Sequence, residues 1–290
     1  MFIFKRVQHI KEWVESRKAE GLRVGFVPTM GALHYGHMSL VERSKAEADV
    51  TIVSIFVNPR QFNDPEDLRK YPRPIEADLK MLYEGGVDMV FLPEVEDIYP
   101  SGDTATINFD PGPSAATMEG KFRPGHFEGM AEVVYRLLMI TTPDHLFMGQ
   151  KDFQQFAIIR KLISDFHMPI HLVMCETIRE ASGLAMSSRN VRLSAEAREK
   201  AGVIYKVLES GKMIFEQQDN VPNVQGVAMD ALRRLHFEPE YFEVVNGYTL
   251  EPVQSMKDAE QIVACCAVKV EGVRLIDNMI WKEEQSLQIK

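Results

Sequence analysis

Pro28-Thr29-Met30-Gly31-Ala32-Leu33-His34-Tyr35-Gly36-His37 is the stretch on which the reading of the fold turns. It follows the apolar run Leu22 to Val27 and precedes a helical pattern, Ser39 to Ala48. A strand that hands over to a helix through a glycine-containing turn is the phosphate-binding corner of a doubly wound α/β fold. The two glycines let the backbone approach a ligand closely, and the start of the helix offers unpaired N–H groups. His34 and His37, three residues apart, can converge on one anion, and a polyphosphate fits such a corner. A purely structural reading competes, in which one histidine caps the helix and the other packs in the core. A zinc reading is weaker, because no cysteine lies near and two histidines leave a tetrahedral site incomplete.

Outward from this corner, short apolar runs alternate with helical patterns. Val50 to Val57 is followed by Ile75 to Glu84, and then by Val87 to Leu92. After Thr104 to Phe109, read as a short strand, and the turn Asp110-Pro111-Gly112-Pro113, the pattern resumes. A helix over Gly129 to Ile140, a strand over His145 to Met148, a helix over Phe153 to Phe166 and a strand over Ile170 to Cys175 complete it. Such alternation predicts a parallel sheet covered by helices, a doubly wound, Rossmann-like unit. The texture changes at Ser194-Ala195-Glu196-Ala197, a helix start that opens a long helix, with a second helix over Asn220 to His236. Tyr241 to Val245, Gln261 to Val270 and Val273 to Ile280 then read as a small antiparallel sheet, with a tight turn at Glu271-Gly272. The boundary falls near Asn190, dividing residues 1–189 from a smaller α+β domain over residues 190–290.

Composition narrows the class of partner. The chain has 290 residues, 45% apolar and 26% charged, which is ordinary for a folded globular protein. Its 42 acidic against 33 basic side chains leave a net charge of −9, which argues against nucleic acid as a main partner. The longest apolar runs fall well short of the roughly 20 residues a membrane-spanning helix needs, so no membrane partner is expected. Phe2-Ile3-Phe4-Lys5-Arg6 lacks the apolar core of a secretory signal, and Val7, Ile10, Trp13 and Val14 already share one helix face. Cys175, Cys265 and Cys266 are too few and too badly spaced for a disulfide framework and read as inert core residues. These features predict a soluble cytoplasmic protein.

Two further segments carry candidate chemistry. Gly149-Gln150-Lys151-Asp152-Phe153-Gln154-Gln155 opens a helix at a strand's carboxyl end. Lys151 suits a phosphate, and Asp152 can cap the helix or hold a ribose, although a solvated Lys-Asp pair is the plain alternative. Met186-Ser187-Ser188-Arg189-Asn190 combines hydroxyls and a guanidinium in a loop, which fits a mobile phosphate clamp or an ordinary interdomain connection.

Taken together, these segments resemble the His-x-Gly-His nucleotidyltransferases and, within them, the pantothenate synthetase (pantoate-beta-alanine ligase) family. The resemblance runs nearly end to end. It includes Val57-Asn58-Pro59-Arg60-Gln61-Phe62, Tyr71-Pro72-Arg73 and Arg123-Pro124-Gly125-His126-Phe127 beside the three segments above. Tyr35 in the variable slot and Pro74 after Arg73 depart from the family pattern at positions whose side chains the chemistry does not require.

The resemblance implies a two-step ligation. ATP and (R)-pantoate give pantoyl adenylate and pyrophosphate with Mg²⁺, and the amine of beta-alanine then displaces AMP. It implies His37 as proton donor, with His34, Lys151 and Arg189 also catalytic and Ser187 and Ser188 completing a donor-rich cradle around the triphosphate. Met30, Gly31, Ala32, Leu33, His34, Tyr35, Gly36 and His37 would contact ATP, as would Gly149, Gln150, Lys151, Asp152, Ile178 and Met186 to Arg189. Gln61 and Gln155 would hold pantoate, their neutral amides suiting its hydroxyls and carboxylate. Gln61 would also contact beta-alanine. Asp78 is a metal-side or supporting carboxylate by family position, whereas its place on a helix in Glu76-Ala77-Asp78 predicts solvent exposure. Arg123 and His126 would lie near the site or anchor its loop. The resemblance also implies a homodimer. A transferase acting on a phosphorylated acceptor would need further cations where this chain offers Gln61 and Gln155.

Overall fold

The computed structural model describes residues 1–100 and 106–283. The chain forms two compact units. One comprises Met1–Gln150 and Ile158–Glu176, and the other comprises Lys151–Ala157 and Thr177–Lys290. The boundary expected near Asn190 therefore falls inside the second unit.

The first unit is built on a six-stranded, all-parallel sheet. Its strands are β1 (Phe2–Phe4), β2 (Val24–Thr29), β3 (Val50–Ile55), β4 (Met89–Phe91), β5 (His145–Gly149) and β6 (His171–Cys175). They lie in the order β1-β4-β3-β2-β5-β6. From β2 the chain winds through β3 to β4 on one side and then crosses to β5 and β6 on the other. The switch in direction lies between β2 and β5, whose carboxyl ends flank the crevice where ligands bind in such sheets. Every residue of β3 is buried, as the mainly apolar run Val50 to Ile55, broken only by Thr51 and Ser54, predicts for a strand covered on both faces. The helices are α1 (Val7–Ala19), α2 (Tyr35–Glu47), α3 (Pro65–Lys70), α4 (Ile75–Glu84), α5 (Val95–Ile98), α6 (Glu119–Phe122), α7 (His126–Thr141) and α8 (Phe153–Asp165), of which the first five residues belong to the second unit. Helix α2 packs closely on β2 because Gly25 has no side chain: a Cβ there would stand 2.2 Å from Ser44 Oγ.

Among the strands of this unit, two stretches differ from or fall partly outside the expectation. Phe2–Phe4, which carries no strand signal beyond its composition, is an edge strand paired with β4 in the register Phe2↔Met89. Of the strand expected over Thr104 to Phe109, Thr104 and Ala105 lie outside the described residues, and 106–109 are irregular.

The second unit carries α9 (Ala195–Lys200), α10 (Val203–Gln218), α11 (Val221–Arg234) and an antiparallel sheet of β7 (Glu238–Asn246), β8 (Gln261–Val270) and β9 (Val273–Glu283), in that order. Leu208, Phe215, Val224 and Leu232 of the helices pack with Phe242, Val244, Ile262, Cys266 and Trp281 of the sheet in one core. The β8–β9 turn uses Glu271 and Gly272 at φ 48° and 74°, a conformation glycine adopts without cost. The single long helix expected from Ser194 is instead α9 and α10. It breaks at Ala201-Gly202, where a Cβ on Gly202 would lie 2.0 Å from the Ser182 carbonyl oxygen. The three cysteines are free and buried. Burial pushes the Cys175 thiol up to about 11 and that of Cys266 well above its ordinary value, so both stay protonated and inert at neutral pH. Among the described residues no helix is long and apolar enough to cross a membrane.

Candidate active site

The corner after β2 is tightly tied down. Gly31 and Ala32 both take the left-handed conformation, at φ 80° and 51°. The N–H of Gly31 then donates to Thr29 Oγ1 at 3.1 Å. The N–H groups of Ala32 and Leu33 donate to the two carboxylate oxygens of Asp78, each at 2.8 Å. Asp78 is only 2% exposed, so the solvent-facing position expected from its helix is wrong. Residue 78 lies in the first turn of α4, and that turn faces the corner. Burial raises the Asp78 carboxyl above its ordinary range, with the two backbone donors acting in the opposite direction.

The histidines continue the same pattern. His34 Nδ1 accepts the Gly36 N–H at 3.1 Å, and His37 Nδ1 accepts the His34 N–H at 3.2 Å, a reciprocal capping box at the start of α2. Their ring centroids lie 4.1 Å apart. Since each Nδ1 is an acceptor, the neutral ring carries its hydrogen on Nε2. The helix-start N–H groups expected to be open to a ligand are thus largely committed to protein acceptors. Both histidines cap the helix, yet capping uses only one nitrogen of each ring.

The Gln61 neighbourhood is equally ordered. Asn58, Pro59, Arg60 and Gln61 form a short 3₁₀ turn, started by the Asn58 side chain accepting from Arg60 N. Tyr99 Oη donates to Asn58 Oδ1 at 3.0 Å, which fixes the orientation of the Asn58 amide. Burial, reinforced by Glu132, raises the Tyr99 phenol above its usual value and keeps it a donor. Asn58 Nδ2 then donates to Gln61 Oε1 at 3.1 Å and to the Gly129 carbonyl at 3.0 Å. Gln61 is 7% exposed, and its Nε2 donates to Met30 Sδ at 3.1 Å, so the donor end of its amide is directed at the corner. His126, buried at the start of α7, donates Nδ1–H to the Gln61 carbonyl at 2.8 Å, which is an anchoring contact. Arg60 lies 3.9 Å from the Tyr99 ring centroid and pairs with Glu132 at 2.7 Å. The first unit thus brings together Met30, Gly31, Ala32, Leu33, His34, His37, Gln61, Asp78 and His126, while Tyr35 is exposed. Gly149 ends β5 and Gln150 follows it.

The second unit holds the remaining candidates. Lys151 and Gln155 are half-buried, Asp152 is exposed, and Gln154 is buried. Ile178 and Met186 pair across a small hairpin through Met186 N to the Ile178 carbonyl at 2.9 Å, with Arg179 bridged to Ala185. Ser187 Oγ accepts the Arg189 N–H at 3.2 Å. Asn190 donates to Glu180 Oε1 at 2.7 Å and to the Ala185 carbonyl at 3.1 Å, closing the loop at its base. The segment expected as a mobile clamp is therefore cross-linked at its foot.

Sequence reasoning assigned no role to Asn58, although an Asn-Pro pair is a recognisable helix start. It also passed over Arg179, Asp277 and Asn278. The signal there is a polar pair interrupting the apolar strand Val273 to Ile280.

Comparison with known proteins agrees with this geometry. The family model for pantoate-beta-alanine ligase matches residues 2–280. The pantothenate synthetase of Porphyromonas gingivalis strain W83 is 44% identical over 98% of this chain and 100% of its own. That of Cytophaga hutchinsonii is 45% identical over 97% and 99%. The crystal structure of pantothenate synthetase from Thermus thermophilus superposes with a TM-score of 0.89 at 38% identity, covering 97% of this chain and 100% of that one. A pantoate-beta-alanine ligase from Francisella tularensis, solved with beta-gamma ATP and beta-alanine, gives 0.78 at 37%, covering 99% and 100%. With the match running through both units and every block of the corner in place, the chain belongs to the pantoate-beta-alanine ligase family.

Proposed function

We propose that this chain joins (R)-pantoate to beta-alanine at the expense of ATP, by way of pantoyl adenylate, in the roles now given to its residues. In the first step a pantoate carboxylate oxygen bonds to the α-phosphorus, and the bond to pyrophosphate breaks with its electron pair on the leaving group. In the second the amine of beta-alanine bonds to the acyl carbon and AMP departs.

The observation that carries the reading is the paired commitment of the two Nδ1 atoms. It turns His34 and His37 into Nε2–H donors at a fixed 4.1 Å ring separation, suited to oxygens on which charge gathers in the first step. His37 is the proton donor, and Lys151, Ser187, Ser188 and Arg189 supply the remaining positive charge and donors. Met30 to Leu33 line the nucleotide by their surfaces and carbonyls, the N–H groups of Gly31, Ala32 and Leu33 being taken up by Thr29 and Asp78. Tyr35 and Gly36 border the phosphates. Gly149, Gln150 and Asp152 flank the adenosine, and Ile178 and Met186 the adenine. Gln61, whose amide is oriented by Asn58, offers a donor to pantoate's carboxylate or hydroxyls, and Gln155 a second amide.

Asp78 serves as the acceptor that shapes the corner. Among the described residues no group of three or more His, Cys, Asp or Glu side chains could hold a metal ion. Mg²⁺ would enter on the phosphates of ATP and would supply charge neutralisation there, beside the donors of His34, His37, Lys151 and Arg189. Free buried cysteines and the −9 charge support a reducing, cytoplasmic setting with no nucleic acid partner. The family resemblance supports a homodimer.

The test is exchange of labelled pyrophosphate into ATP. It should require pantoate and not beta-alanine, whereas AMP formation should require both. Exchange driven by a phosphorylated acceptor with pantoate inert would overturn the reading.

A further inference from the structure

Asp277 and Asn278 are adjacent in β9 and only 4% and 2% exposed, in a strand whose other fully buried positions are Val273, Leu275 and Trp281. Successive strand residues face opposite sides, so the two serve different neighbours. Asp277 receives Arg179 through two hydrogen bonds, Nη1 to Oδ2 at 2.6 Å and Nη2 to Oδ1 at 3.0 Å. The same guanidinium donates to the Gly183 carbonyl at 3.1 Å and stacks 3.9 Å from the Tyr205 ring centroid. Asn278 donates Nδ2–H to the main-chain carbonyl of Lys151 at 2.8 Å, and its own N–H donates to Asp277 Oδ1 at 2.8 Å. One point on β9 therefore grips the Lys151 turn, 127 residues away in sequence, and the Ile178–Met186 hairpin, 98 residues away at Arg179. A buried ion pair is a poor device for stability alone, because apolar residues of similar volume serve as well or better. It does fix orientation: the Asn278 grip ends on the main chain of Lys151, and the Asp277 grip on the side chain of Arg179, next to Ile178 and itself bonded to the Gly183 carbonyl.

We propose that Asn278 and Asp277 are positioning residues for adenylation: from β9 they set the main chain under Lys151 and, through Arg179, under Ile178, so that the ammonium and the adenine contact are held in one frame. The proposal rests on the reading of Lys151 and Ile178 as nucleotide contacts. Lysine has a long flexible stem, and anchoring its backbone is the means left to fix where its charge can reach. A misplacement of about 1 Å can cost on the order of 100-fold in rate.

The experiment is a double-mutant cycle on the full-length protein, read by pantoate-dependent pyrophosphate exchange, KM for ATP and for pantoate, and thermal melting. Asn278→Ala should lower the exchange kcat on the order of 10- to 100-fold with the KM for pantoate unchanged. In a Lys151→Ala background the same substitution should have almost no further effect. Arg274→Ala, on the same strand but paired with Glu240, should leave exchange unchanged. Equal losses from Asn278→Ala in both backgrounds, or none in either, overturn the proposal while leaving Lys151 in its role. Full activity of Lys151→Ala alone sinks the reading of Lys151, and the role of Asn278 falls with it. Should Asn278→Ala not fold, Arg179→Lys decides: it keeps the charge and loses the two-pronged grip, so KM for ATP should rise several-fold and that for pantoate should not. An unchanged KM for ATP overturns the proposal.

Discussion

In the proposed reading His37 does two jobs with two nitrogens, and a substitution can separate them. Glutamine is a normal third residue of a capping box, so His37→Gln should keep the reciprocal cap and the melting temperature. It should nevertheless lower pyrophosphate exchange on the order of 10²- to 10³-fold, the loss typical of a missing transition-state donor. Lys151→Ala should lose as much without unfolding. Near-normal turnover in either variant, together with a much lower melting temperature, would return that residue to a structural role. Asp78→Asn makes a different prediction, because only one of its two side-chain atoms can accept. One of the Ala32 and Leu33 N–H groups is left unpaired in a buried place, at a cost of about 1–3 kcal/mol. Asp78 has a raised carboxyl pKa in the fold, so its proton is held more tightly there than in the unfolded chain. The stability it contributes is complete below the usual aspartate pKa and declines as pH rises through its own titration. The gap in stability between wild type and Asp78→Asn should therefore be widest in acid, which denaturant titrations from about pH 3 to 7 would check. A gap that widens with pH would show the carboxylate to be favoured by the fold. The burial of Asp78 and its backbone partners were not readable from the residues alone, since the spacing Glu76-Ala77-Asp78 says nothing of a neighbour 45 residues earlier.

Among the elements, α7 has the clearest mechanical link to the pantoate pocket proposed at Gln61. Gly129 lies against the turn bearing Gln61, and a Cβ there would stand 2.2 Å from the Arg60 carbonyl oxygen. Gly129→Ala must therefore push the Asn58–Gln61 turn away, and KM for pantoate should rise several-fold more than KM for ATP. Equal changes in both constants would mean general loosening of the unit. The parallel strands were legible because burial on both faces leaves mainly apolar, β-branched runs, as in Val50 to Ile55. The turn at Glu271-Gly272 was legible from local chemistry. The strand Phe2–Phe4 was not, because its three residues are defined by a partner more than eighty positions away. The interruption of the helix after Ser194 was not legible either, since the obstacle at Gly202 is the backbone of Ser182. The site divides along the same line. Residue types suited to the proposed chemistry, such as His34, His37, Lys151 and Gln61, stand out in one dimension, whereas the groups bonded around them, such as Asn58, Asp78 and Asn278, are ordinary until their partners are known.

For the molecule as a whole, an acyl adenylate invites hydrolysis, and a cover that excludes water until the amine arrives gives the α+β unit a purpose beyond holding Lys151. We propose that the second unit, Lys151–Ala157 with Thr177 onward, rather than residues 190–290 alone, closes over the nucleotide when ATP binds. Paired spin labels on α2 and α11 should report a shorter and narrower distance distribution with a non-hydrolysable ATP analogue. Unchanged distances, together with an intermediate that survives when the domains are held apart, would rule the cover out. The division of the chain also bears on how this enzyme can be inherited. Because Lys151–Ala157 belongs with Thr177 onward, the peptide passes between units three times, at 150/151, 157/158 and 176/177. No single crossover in the gene can then exchange one unit for that of a relative. A recombinant that takes a foreign segment from residue 177 onward keeps the old seven-residue insert, and Asn278 of one lineage must meet the Lys151 turn of another. Such hybrids should regain activity when residues 151–157 are exchanged as well, which makes those seven residues and the tail a single heritable piece.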